Sequence, residues 1–216
     1  MKSTKSMFKD RKDAGEKLGK YLKAQYQHLD PLILGIPRGG LEVAYYTAKY
    51  VGSQLSMLIC KKLPYPYNKE VGFGAIAEDL SVYISPDLRN APSPEIIGRI
   101  IDEQTDEINR RIKAYRGEKT LPDMAGRTVI LVDDGIATGV TLVPAIRLCK
   151  NKGASKIVIA VPVCGSNYDK HLNEADALEI LFQPKDFYAV GQVYESFYNL
   201  SEEEFMAILK KASSIC

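Results

Sequence analysis

The chain has 216 residues, 45% hydrophobic and 26% charged, an ordinary globular composition that suits one α/β domain, or a domain with a small appendage, around a well-buried core. Twenty-nine basic against 27 acidic residues leave a net charge of +2, too balanced for a partner that is nucleic acid or a membrane surface. No stretch approaches the roughly 18 apolar residues of a membrane span, no apolar leader follows "MKSTKSMFKDRKD", and Cys60, Cys149, Cys164 and Cys216 form no CxxC pair. A cytoplasmic protein with reduced, structural thiols is expected, and His28 and His171 are too far apart to suggest a zinc site.

The first 23 residues carry eight Lys/Arg and three Asp/Glu, interspersed as on a solvated helix face. Ala14, Leu18, Tyr21, Leu22 and Leu29 predict one apolar face of a helix over about 10–29, ended by Asp30-Pro31. "LILGI" then reads as a short buried strand, "GIPRGG" as a sharp turn holding one cation, "LEVAYYTAKYV" as a helix and "LSMLICKKL" as a second strand. From about 62 to 92 the pattern loosens and prolines accumulate, which predicts a long excursion from the core of the kind that forms lids. Ser93, Pro94 and Glu95 read as the cap and first turn of a covering helix to about Tyr115, with Ile97, Ile101, Ile108 and Ile112 as its stripe. Strand "RTVILVDD", helix "TLVPAIRLCKNKG", strand "KIVIAVPV", helix "NYDKHLNEA", strand "ALEILF" and a last helix from Ser201 follow. Nearly all-apolar strands separated by single helices predict a doubly wound parallel sheet covered on both faces.

The chemistry concentrates in "TVILVDDGIATGVT", residues 128–141. Asp133 and Asp134 stand at the carboxyl end of a buried strand, the end at which parallel sheets bind ligands. Glycines let the backbone N–H groups after them converge, Thr138 and Thr141 add hydroxyls, and a helix N-terminus follows, which together make a phosphate cup. Two carboxylates beside that cup suit a neutral or cationic neighbour of the phosphate, sugar hydroxyls or a metal ion, so the ligand reads as a sugar 5-phosphate. Helix capping by the aspartates accounts for one of them but not for two. Neither a Walker A lysine nor a GxGxxG run is present.

This order of apolar strand, Asp-Asp, Ala-Thr-Gly and Thr resembles the phosphoribosyl pyrophosphate (PRPP) signature of the type I phosphoribosyltransferases. With "FKDRKDAGEKL", "GIPRGGLEVA", "CKKLPYPYNKEVGFGAIAED" and "FYAVGQVYESF", the likeness runs from about residue 8 to 205, and is strongest to a bacterial and archaeal branch with no generally established acceptor. The resemblance implies one domain over 1–216, with a core over about 30–165, a lid within 62–92 and a small hood over about 183–200. It implies that Asp133 and Asp134 hold the ribose hydroxyls with Mg²⁺ nearby, bound indirectly, and that Ile136, Ala137, Thr138, Gly139, Val140 and Thr141 hold the 5-phosphate. It places pyrophosphate at Arg38 with the Gly39 and Gly40 amides, after a cis Pro37-Arg38 peptide.

Lys61 and Lys62 occupy the place of the lid cations of orotate enzymes, which reach a neighbouring subunit; a homodimer is implied, and two solvated lysines at a strand end are the alternative. Phe187 or Tyr188, with Val190, would form the base-stacking hood, or else pack into the core. Ala137 stands where hypoxanthine-guanine enzymes carry an Asp, which disfavours a 6-oxopurine acceptor. The implied activity is Mg²⁺-dependent transfer of 5-phosphoribose from PRPP to a nitrogenous acceptor with release of pyrophosphate, in nucleotide salvage or related metabolism. The alternative is a PRPP- or nucleotide-sensing regulator with the same fold and no transferase activity.

Overall fold

The computed structural model describes residues 6–212 apart from Asp87, Arg89 and Asn90, so Cys216 lies outside the described residues. Five short strands form a parallel sheet: β1 (Leu32–Gly35), β2 (Leu55–Met57), β6 (Thr128–Val132), β7 (Lys156–Val163) and β8 (Ala177–Phe182), in the order β2-β1-β6-β7-β8. Every residue of β1 and β6 is buried, as the unbroken apolar runs require of strands covered on both faces. Alternation sorts their side chains. Ile33, Ile130, Val132 and Val158 face the helices α1 (Arg11–Tyr26), α2 (Gly39–Val51) and α5 (Glu202–Ala212). Leu32, Leu34, Val129, Leu131, Ile157 and Ile159 face α4 (Leu142–Asn151). The expected doubly wound α/β architecture is therefore present.

The stretch expected as an irregular excursion is instead an antiparallel sheet of β3 (Cys60–Tyr65), β4 (Asn68–Ala77) and β5 (Val82–Ile84). Pro64 and Pro66, which loosened the sequence pattern, mark an irregular register at Leu63 to Tyr65 and the hairpin turn respectively. "LSMLICKKL" is accordingly two strands in two sheets. The long helix α3 (Pro94–Arg116), capped by the Ser93 hydroxyl, packs on this second sheet around Ile59, Leu63, Phe73 and Ile76. Its fully buried residues are Ile100 and Ile108, with Ile97, Ile101 and Ile112 partly buried beside them.

Two further expectations change. The first helix ends at Tyr26 in a short 3-10 turn, and its buried side is Arg11, Ala14, Leu18, Leu22 and Tyr26, while Tyr21 and Leu29 are exposed. "NYDKHLNEA" forms only a 3-10 turn over Lys170–Glu174, because Asp169 caps His171 and Asp176 takes the Ile157 amide at 2.7 Å, drawing the chain straight into β8. Cys60, Cys149 and Cys164 are buried free thiols, and burial raises the pKa of each, as expected of structural cysteines.

Candidate functional site

The carboxyl ends of β1 and β6 lie side by side, Gly35 opposite Val132, so the turn after one strand meets the aspartates after the other. The Pro37-Arg38 peptide is cis, as the sequence led one to expect, and α2 begins at Gly39. The two glycines have a direct steric reason. A Cβ on Gly39 would collide with Asp134 Oδ2 and come within 2.6 Å of Arg11 Nε; one on Gly40 would lie 2.6 Å from Asp133 Oδ1 and 2.8 Å from its Cα.

Asp134 is not a free carboxylate. Its Oδ2 accepts from Arg11 Nε at 2.8 Å, and its backbone carbonyl accepts from the Tyr194 hydroxyl at 2.7 Å. Arg11 is itself buried, 7% exposed, stacked 4.1 Å from the centre of the Phe197 ring, and donates through Nη1 to the Tyr198 carbonyl. Asp133 has no such cation; its Oδ1 accepts the Asp134 amide at 2.8 Å. Burial pushes both carboxyls above the ordinary range. The nearby Asp134 charge pushes Asp133 further up, whereas Arg11 opposes the rise at Asp134.

Beyond the aspartates the chain passes through Gly135 and Ile136, the latter pinned to Val163 by its amide, and turns at Gly139 with φ of +77° into α4. Among the described residues the backbone N–H groups of Ala137 through Thr141 have no intrachain acceptor. They sit at the N-terminus of α4, so the partial positive charge of the helix adds to five unspent donors. This cup, with Lys62, Val71, Gly72, Asp133 and Val190, lines a cavity of about 430 Å³. A second cavity of about 540 Å³ is lined by Arg11, Arg38, Gly39, Arg111 and both aspartates, with Phe197 and Asn199. Asp133 belongs to both walls, so an elongated ligand with an anionic group at each end and neutral oxygens between them matches the pair.

The basic residues sort differently from the expectation. Lys61 and Lys62 lie within β3 rather than at a strand end, and alternation sends them apart. Lys62 lines the cup cavity, whereas Lys61 reaches to 4.0 Å from Glu107 of α3. Arg38 lines the second cavity, but its guanidinium is held by the Leu200 carbonyl and by Glu202, each at 3.0 Å. Of the hood residues, Val190 lines the cup cavity. Phe187 packs over Gly165 beside Val163 and Val193, and Tyr188 is 85% exposed.

Sequence reasoning missed Arg11 and Arg111, and it placed residues 197–200 in the hood without their contacts to Arg11 and Arg38. Arg11 sits among alternating charges that read as a solvated face; its helical spacing to Gly15, Leu18 and Leu22 was the available signal. For Mg²⁺, the two carboxylates offer hard oxygen donors with only one protein cation between them, which fits an ion that keeps water and phosphate oxygens in its shell. Among the described residues no group of three metal-binding side chains occurs, so contact would pass largely through ligand or water.

A family model described as the phosphoribosyl transferase domain matches residues 6–196. Two Mycobacterium tuberculosis sequences, from two strains and each provisionally named a phosphoribosyl transferase, are 35% identical over 212 residues, 95% of this chain and 47% of each relative. The chain thus spans about half the length of the curated relatives it matches. The crystal structure of TT1426 from Thermus thermophilus is similar with a TM-score of 0.77 at 32% identity, covering 94% of this chain and 97% of that one.

Proposed function

The chain belongs to the phosphoribosyl transferase domain family, and on that premise we propose that it transfers 5-phosphoribose from PRPP to a nitrogenous acceptor and releases pyrophosphate. The observation that carries this reading is the pair of cavities joined at Asp133, one with five unpaired amides and the other with three guanidinium groups. The 5-phosphate belongs in the cup of Ile136 to Thr141, and pyrophosphate belongs beside Arg38 and the Gly39 and Gly40 amides at the start of α2.

Transfer separates charge: the anomeric carbon becomes cationic as its bond to pyrophosphate breaks and the acceptor nitrogen approaches from the opposite face, inverting the centre. Asp133 and Asp134 hold the ribose hydroxyls and lie where that positive charge grows. Arg38, Lys61 and Lys62 take up the growing charge of the leaving group. Asp133 and Asp134 would hold Mg²⁺ through PRPP or water, and the ion would supply further neutralisation of pyrophosphate. The β3–β4 hairpin, whose Val71 and Gly72 wall the cup cavity, acts as the lid that excludes water from the activated sugar. Val190, with Phe187 or Tyr188 after rearrangement, borders the acceptor. Residues 1–216 act as one domain in the cytoplasm, within nucleotide salvage or related metabolism, and a homodimer is the expected assembly; among the described residues no helix is long and apolar enough to cross a membrane.

The test is pyrophosphate release from PRPP and Mg²⁺ with purine, pyrimidine, nicotinate and amine acceptors. Turnover with one of them that disappears in Asp133→Ala plus Asp134→Ala supports the reading. PRPP binding that survives both substitutions, with no turnover, overturns it. Binding without turnover that still needs the aspartates makes the protein a sensor of PRPP instead.

A further inference from the structure

We propose that Arg111 of α3 is a further pyrophosphate-binding residue of this site and that Glu107, one turn earlier, is the residue that positions it. The inference rests on the phosphoribosyltransferase reading and adds to it a residue from a helix that mainly covers the second sheet. Most of α3 is explained by its apolar stripe against β3 and β4. Near its end, however, it brings Arg111 into the wall of the 540 Å³ cavity, together with Arg11, Arg38 and both aspartates.

The three arginines differ in what they have left to donate. Arg11 spends Nε on Asp134 and Nη1 on the Tyr198 carbonyl, and Arg38 spends Nη1 on the Leu200 carbonyl and Nη2 on Glu202. Arg111 spends only Nε, on Glu107 Oε1 at 2.8 Å, and among the described residues no hydrogen bond occupies its two terminal nitrogens. A guanidinium anchored at Nε with both terminal nitrogens unspent is prepared for two-point recognition of phosphate oxygens. Glu107 also lies 4.0 Å from Lys61 of the hairpin, so one carboxylate stands between a hairpin cation and the helix cation that lines the cavity. Burial chiefly, and after it the neighbouring Arg111 charge, lower the Lys61 pKa, while Glu107 opposes the fall.

Arg110 supplies an internal control. It binds the same glutamate, at 2.7 Å from Oε2, but is 75% exposed and absent from the cavity wall. Calorimetric titration of the full chain in Mg²⁺ with PRPP, with pyrophosphate and with ribose 5-phosphate separates the roles. Arg111→Gln is expected to weaken PRPP and pyrophosphate binding about tenfold or more, the scale of a lost charge-assisted contact, and to leave ribose 5-phosphate unchanged. Arg110→Gln is expected to leave all three unchanged. If Arg111→Gln does not fold, Arg111→Lys carries the test, because it keeps the charge and loses the fork: pyrophosphate weakens while ribose 5-phosphate does not. Equal losses for both ligands, or none, overturn the assignment of Arg111 and leave the family reading standing. A wild-type chain that binds neither PRPP nor ribose 5-phosphate overturns both.

Discussion

Asp133 and Asp134 are adjacent in the chain and burial raises both carboxyls, but only Asp134 has a guanidinium bonded to it to oppose the rise. Burial, and then the Asp134 charge, raise the folded pKa of Asp133, which has no cation bonded to it; its contribution to stability is whole below its unfolded pKa and is lost as pH rises from there through the folded pKa. Asp133→Asn keeps the Oδ1 acceptor for the Asp134 amide and is expected to stabilise the protein at pH 7 by roughly 1–3 kcal/mol. Thermal melts should show that gain shrinking as pH falls, since a protonated Asp133 already resembles the Asn; a gain constant with pH would contradict the assignment. Asp134→Asn strands the buried Arg11 charge instead and is expected to cost about 3 kcal/mol. Both variants should lose PRPP binding. At this scale the sequence disclosed the aspartates, the glycines and the cis peptide, because each belongs to a contiguous motif. It hid Arg11 and Arg111, whose meaning depends on partners 123 residues distant in one case and on a cavity wall in the other.

The strands β1, β6, β7 and β8 and the helices α1, α2, α4 and α5 were legible because each apolar run is bounded by its own turn; β2 was read as one strand with β3, and the helix expected before β8 is a 3-10 turn. The second sheet was not legible, since Pro64 and Pro66 made a hairpin resemble a loop. The difference matters for the lid. A hairpin tied to α3 through Leu63 and Phe73 can move as a unit, with exposed Tyr67 at its tip and Val71 and Gly72 against the cup. Hydrogen exchange is the suitable measurement: PRPP with Mg²⁺ should slow the amides of residues 67–72 on the hairpin. Exchange there that is indifferent to ligand would make the hairpin a fixed wall. The same element explains why Lys61 and Lys62 cannot act as an interchangeable pair, because strand alternation gives one to α3 and the other to the cup.

Across the whole molecule, the family match ends at residue 196, but the site does not. Phe197 stacks on Arg11, the Tyr198 and Leu200 carbonyls hold Arg11 and Arg38, and Glu202 pairs with Arg38. Beyond them, Phe205 is fully buried against Tyr115 and the α2 face of the sheet. A chain stopped after Ser196 should therefore lose more than a tail. Removal of Phe205 alone should cost about 3–5 kcal/mol, and the broad melting or absent transition of that fragment is checked by calorimetry. An undiminished transition would show that the last segment is ornamental. The tie between Arg11 and Tyr198 also sets an order in time. During synthesis Arg11 emerges first and waits 123 residues for its carboxylate and 187 for its carbonyl, so a nascent chain can assemble the cup and its sheet while the guanidinium still lacks the Phe197 ring and the Tyr198 carbonyl. Ribosome-bound intermediates would thus carry the proposed phosphate cup before Arg11, the partner of Asp134, is held at both ends, and the proposed site would be complete only once the segment through Glu202 has emerged.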